Sequence, residues 1–115
     1  MRLPHLTIYS DKFVEDGMAG ATRGCVIFIR PAYKHDKPLY EHEYTHVKQW
    51  YMTLGLFGIF YKLSKRFRLW AEANAYAVQV NHGADIDLMA DYLSTNYGLG
   101  ITADEAKKAI KWSLY

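Results

Sequence analysis

The chain reads as an α+β domain: a small antiparallel N-terminal sheet, then a helix carrying H-E-x-x-H, a helix offering a carboxylate, and C-terminal helices. Two patterns predict this. Short β-branched and apolar runs bounded by Gly and Pro occur only in the N-terminal third, where they read as strands. Beyond position 36, apolar residues recur at intervals of three and four, the period of a helix with one buried face. A length of 115 residues, half of them apolar and 16% aromatic, makes residues 1–115 one globular domain with enough chain to bury a core.

Leu6-Thr7-Ile8-Tyr9 is a short strand, and Asp16-Gly17-Met18-Ala19-Gly20 is turn material. Gly24 marks a tight turn ahead of the strongest strand, Cys25-Val26-Ile27-Phe28-Ile29-Arg30, which stops at Pro31. Cys25, the single cysteine, excludes an internal disulfide framework and a Cys-based zinc site, and reads as a small buried hydrophobe. Asp36 caps the next helix, with Pro38 tolerated in its first turn. Tyr40, Tyr44, Val47, Tyr51 and Leu54 form its buried stripe, and His42, His46, Gln49 and Thr53 fall on another face.

That second face carries the chemistry. His42 and His46 stand at i and i+4 of one helix, one turn apart, so both imidazoles can reach one zinc ion. Glu43, beside the first of them, is placed to act as general base toward a metal-bound water. The pattern is that of a zinc peptidase. The third ligand is expected in Leu69–Val80, a helix with Trp70, Ala73, Ala77 and Val80 on one stripe and Glu72, Tyr76 and Gln79 on another. Its alanines allow close approach to the His helix. Glu72 would complete the His–His–carboxylate set of a catalytic zinc, with water in the fourth position.

With these residues in place, the sequence resembles the gluzincin clan of zinc metallopeptidases. His42-Glu43-Tyr44-Thr45-His46-Val47-Lys48-Gln49 with Glu72-Ala73-Asn74-Ala75-Tyr76-Ala77 is similar to small bacterial and phage metallopeptidase-like domains, and Glu72-Ala73-Asn74-Ala75 to metallopeptidases that cleave phage repressors. The resemblance implies a minimal gluzincin-like fold, His42, His46 and Glu72 as zinc ligands and Glu43 as general base. It also implies that an edge strand, Val26–Arg30 or Ala21–Arg23, pairs with an extended peptide substrate. Many gluzincins carry an Asp four residues after the ligand Glu to orient a His. Tyr76 stands there, and its hydroxyl, a backbone carbonyl or water takes that task. Tyr76, Tyr97 and His82 are candidate oxyanion donors; His5 and His35 are read as non-functional.

The expected function is therefore a zinc-dependent endopeptidase acting on a peptide or protein. The alternatives are a regulatory or binding protein with little general proteolysis, and a structural zinc protein. A net charge of +2 gives no case for nucleic acid. Without a signal-like segment or an apolar run of membrane-spanning length, cytoplasmic residence is the expectation. The apolar, Gly-bearing run Leu54–Leu63 followed by Lys65, Arg66 and Arg68 reads as a buried helix–helix connection in preference to a membrane-surface segment at 54–68. Ala84-Asp85-Ile86 opens a helix containing Leu88, Met89, Tyr92 and Leu93, which ends at Asn96–Gly100. Thr102–Glu105 is a capping box for a last helix through Tyr115, with Ala106, Ala109, Ile110, Trp112 and Leu114 on its buried side.

Overall fold

A computed structural model describes residues 2–114. Strands β1 (Leu6–Tyr9), β2 (Gly20–Arg23) and β3 (Val26–Ile29) are followed by a 3-10 turn, Pro31–Tyr33. Helices α1 (Lys37–Met52), α2 (Phe57–Leu63), α3 (Lys65–Asn81), α4 (Ile86–Asn96) and α5 (Ala103–Leu114) complete the domain. Among the described residues, no helix is long and apolar enough to cross a membrane.

The sheet is mixed, which corrects the antiparallel expectation. Its order is β1-β3-β2, with β2 antiparallel to β3 and β1 parallel to it. The cause lies between β1 and β2, where the chain passes over the end of β3 and enters β2 on the far side. Arg30, just past β3, holds that crossover. Its guanidinium donates to the carbonyls of Met18 (2.7 Å), Val14 (3.0 Å) and Glu15 (2.9 Å) and pairs with Asp11 at 3.0 Å. β3 is therefore the central strand, and β2 keeps an open edge.

Helix α1 starts where the sequence placed it: Asp36 Oδ1 accepts from the Leu39 N–H at 3.0 Å. It lies on the sheet through Ile27, Ile29, Leu39, Tyr44 and Val47. A second core joins α3 to α4 and α5 through Ala73, Ala77, Met89, Leu93, Ala106 and Ile110. The fully buried Ala71 and Ala75 bear out the close approach expected between α1 and α3. The capping box at α5 also forms, with Thr102 Oγ1 accepting from the Glu105 N–H (3.1 Å) and Glu105 Oε1 from the Thr102 N–H (2.9 Å).

Four placements differ from expectation. The run after α1 is not a buried connection: it contains helix α2, which has no buried residue. Leu54, assigned to the α1 stripe, lies beyond the helix, 90% exposed and at φ +54°. Trp70 is exposed on α3. Trp112 is 82% exposed on α5, because Ala106 and Ile110 already fill the contact with α3 and α4. Tyr115 lies outside the described residues.

Candidate metal centre

His42 and His46 point from α1 at Glu72 on α3, and all three are buried. Glu72 Oε1 lies 3.4 Å from His42 Nε2 and 3.1 Å from His46 Nε2. One donor atom from each residue falls within a 4.8 Å cluster, a group that can hold a metal ion. Tetrahedral zinc with bonds of about 2.0–2.1 Å holds its ligand atoms roughly 3.3 Å apart. The two Glu72–imidazole separations match that spacing. Among the described residues, no fourth His, Cys, Asp or Glu joins the group.

The ring of His46 is fixed from behind. Gln49, one turn on, donates from Nε2 to the Ala71 carbonyl at 3.0 Å, so its Oε1 is left to accept from His46 Nδ1 at 2.9 Å. Nδ1 therefore carries a proton, and Nε2 is the nitrogen available to a metal. His42 is held differently. Its ring meets Tyr76 edge-on with centroids 4.4 Å apart, and its buried Nδ1 has no partner among the described residues. The Tyr76 hydroxyl bonds instead to the Tyr97 hydroxyl at 2.6 Å. Tyr76 thus supports His42 by packing, and of the three groups considered for orienting a ligand His its hydroxyl is not the one that does so. The other oxygen of Glu72 accepts a short hydrogen bond from Tyr61 on α2.

Without a metal the cluster behaves as an ion pair. Burial disfavours charge on His46, but the adjacent Glu72 carboxylate outweighs it and raises the imidazole pKa to about 9. Burial likewise opposes charge on Glu72, yet His46 and the hydrogen bonds from both imidazoles hold its carboxyl well below the usual range. Burial, then the Glu72 charge, keeps the Tyr61 and Tyr97 phenols protonated far above their ordinary value; Tyr76 moves the same way, chiefly through burial.

Glu43 sits beside the triad against β2. Thr22 Oγ1 donates to Glu43 Oε1 at 2.8 Å and lies 3.0 Å from the Glu43 carbonyl. Gly20 leaves room for that carboxylate, since a Cβ there would come within 3.3 Å of Glu43 Oε2 and 3.2 Å of the Phe28 carbonyl oxygen. Two clefts of about 750 and 720 Å³ open on either side, both lined by His42, Glu43, Gly20 and Tyr97. The second also takes in His46, Glu72, Tyr61 and the length of β2. Glu43 is as buried as the ligands, at 4% exposure, and both clefts lead to it and to His42.

The open edge of β2 borders that second cleft. The Arg30 N–H donates to the Ala19 carbonyl, and the register pairs Ala21 with Phe28 and Arg23 with Val26. In the alternating antiparallel pattern, the backbone groups of Gly20 and Thr22 then face outward. Of the two strands considered for peptide pairing, β3 is occupied on both sides and β2 is free on one.

The structure brings together His42, Glu43, His46, Glu72 and Tyr76, and sets Tyr97 beside them. His82 caps the end of α3, is exposed and borders neither cleft. Sequence reasoning missed Gln49 and Tyr61 as supports of the cluster. Gln49 already lay on the His face, three residues after His46; Tyr61 carried no comparable signal. In comparisons with known proteins the chain matches no family model, no curated protein and no solved structure.

Proposed function

We propose that the protein is a zinc-dependent peptidase of gluzincin-like design, with His42, His46 and Glu72 as ligands and Glu43 as general base. The observation that carries this is the convergence of three buried ligands from two helices beside a carboxylate that lines an open cleft. Three protein ligands with a fourth position left over is the arrangement of catalytic zinc; structural sites are closed by four. That supports the peptidase over a purely structural zinc.

Bound there, zinc supplies Lewis acidity toward a water and a carbonyl oxygen. The protein's own groups do the rest. An extended peptide adds to β2 through the outward backbone groups of Gly20 and Thr22, which sets a peptide bond over Glu43. Glu43 takes the proton of the attacking water and passes it to the leaving amine. Thr22 holds the Glu43 carboxylate in place. The Tyr76–Tyr97 hydroxyl pair keeps a proton available to the oxyanion, because both phenols resist ionisation. Gln49 holds the His46 tautomer, and Tyr61 holds the second oxygen of Glu72.

The test is peptide-library hydrolysis read by mass spectrometry, with and without chelator, on wild type and Glu43→Gln. Chelation should abolish cleavage and zinc restore it. Glu43→Gln should bind zinc normally and lose cleavage by at least about a hundredfold. Wild-type turnover by that variant would remove Glu43 from the mechanism.

A further inference from the structure

The segment after α1 spends its apolar residues in two directions. Phe57 and Tyr61 turn inward, against His46, Phe67 and Glu72. Leu56, Ile59, Phe60 and Leu63 follow at intervals of three, one and three, a second helical stripe, and all four are exposed. Leu54 and Met52 extend this surface at 90% and 70% exposure, and Leu63 at its far end is 79% exposed. Leu54 is also the one non-glycine residue at positive φ among the described residues. The positive φ belongs to the cap that closes α1, where the Leu54 N–H donates to the Tyr51 carbonyl (3.1 Å) and the Gly55 N–H to the Trp50 carbonyl (2.9 Å); the apolar side chain it presents to solvent has no such return within the monomer.

The charge around this ridge has one sign. From Tyr44 to Ala71 the chain has no Asp or Glu, although the remainder is net negative. Lys62, Lys65 and Arg66 flank the ridge, all exposed, and none makes an ion pair among the described residues. Arg68 is consumed internally by the carbonyls of Tyr61, Lys62 and Tyr97. A second copy of the chain would press these three cations against their own kind. Side chains exposed to this degree stand out from the surface, a shape suited to entering a fluid phase.

We propose that the 52–66 hairpin docks the protein on an anionic lipid bilayer, with Leu54, Leu56, Ile59 and Leu63 entering the acyl boundary and Lys62, Lys65 and Arg66 meeting the headgroups. Binding is interfacial, because the apolar run is too short to span. The consequence concerns the metal centre. Gly55, Phe57, Tyr61 and Lys62 also line the second cleft, so docking sets its mouth against the membrane. On the peptidase reading, its substrates are chain segments close to a lipid surface.

The experiment is co-sedimentation of the full chain with phosphatidylcholine vesicles, with and without phosphatidylglycerol. Wild type should bind the anionic vesicles and leave the neutral ones. Each cation near an anionic surface contributes about 1 kcal/mol, so Lys62→Gln/Lys65→Gln/Arg66→Gln should lower partitioning by roughly a hundredfold. Leu54→Ser/Leu63→Ser, both at exposed positions and folded by circular dichroism, should lower it at least about tenfold. Trp112→Ser, an exposed aromatic on α5, should change nothing. Absence of binding, equal binding to neutral vesicles, or a dimer that Leu54→Ser/Leu63→Ser dissolves would overturn the proposal. An acidic protein that occupied this face while vesicles did not would do the same. Glu43→Gln should sediment like wild type, so loss of peptidase activity and loss of docking are separable results.

Discussion

Helix α3 is buried on two sides, and the two sides are built from different material. Toward α4 and α5 it offers Ala73, Ala77 and Val80 to Met89, Leu93, Ala106 and Ile110, an apolar contact. Toward α1 it offers Glu72 to His42 and His46, with Gln49 reaching its Ala71 carbonyl. The first contact follows from removing apolar area from water. The second buries a carboxylate and two imidazoles, at a desolvation cost that hydrogen bonds and opposite charge only partly return. A chain with one apolar interface already holding α3 can carry a costly polar one on the other side. The difference assigns stability to the C-terminal contact and chemistry to the contact with α1.

That division can be broken from either side. The largest change is expected in the apolar half. Leu93→Ala should cost about 2–5 kcal/mol in denaturant unfolding, and its folded fraction should bind zinc as wild type does. Loss of zinc affinity in folded Leu93→Ala would show that the two halves are coupled. In the polar half, metal-free protein should lose stability with rising pH. The folded pKa of His46, about 9, lies above the unfolded value of 6.5. The stability it contributes is complete below pH 6.5 and is lost as pH rises through about 9, on the order of 3 kcal/mol shared with Glu72. Saturating zinc replaces that proton, so thermal unfolding should lose this dependence over the same window. A smaller effect is expected at Gln49. Gln49→Leu frees the His46 ring and should weaken zinc binding by about 10–100-fold in chelator competition, leaving the apolar half intact. Unchanged affinity would mean that the ring needs no support.

Much of the site was legible because its geometry is local. The i, i+4 spacing of His42 and His46 and the Asp36 cap follow from helical periodicity; Glu72, 26 positions from His46, was legible by another route, as the carboxylate that a His–His pair lacks on an alanine-rich helix, and the structure sets it with the two histidines. The misses arise where distant parts of the chain decide. Gln49 becomes a support only because α3 brings the Ala71 carbonyl to it, and Tyr61 only because α2 folds back over Glu72. The Tyr76 hydroxyl turns to Tyr97, a residue 21 positions on, and not to His42. The sheet is mixed because Arg30 ties down a crossover, and no strand pattern encodes pairing direction. The run from Leu54 to Leu63 was apolar enough to suggest burial. Phe57, Tyr61 and one edge of Phe60 make that contact, and Leu56, Ile59 and Leu63 are left outside.

The central claim is that α1 and α3 together form a three-ligand metal centre. The most direct measurement is X-ray absorption at the zinc edge on protein loaded with one equivalent of zinc, for wild type and Glu72→Ala. The account predicts two imidazole nitrogens and two oxygen ligands at about 2.0–2.1 Å in wild type, with one oxygen from Glu72. It predicts loss of stoichiometric zinc in Glu72→Ala. Zinc bound with an unchanged ligand shell in that variant, or no stoichiometric binding by wild type, would contradict it.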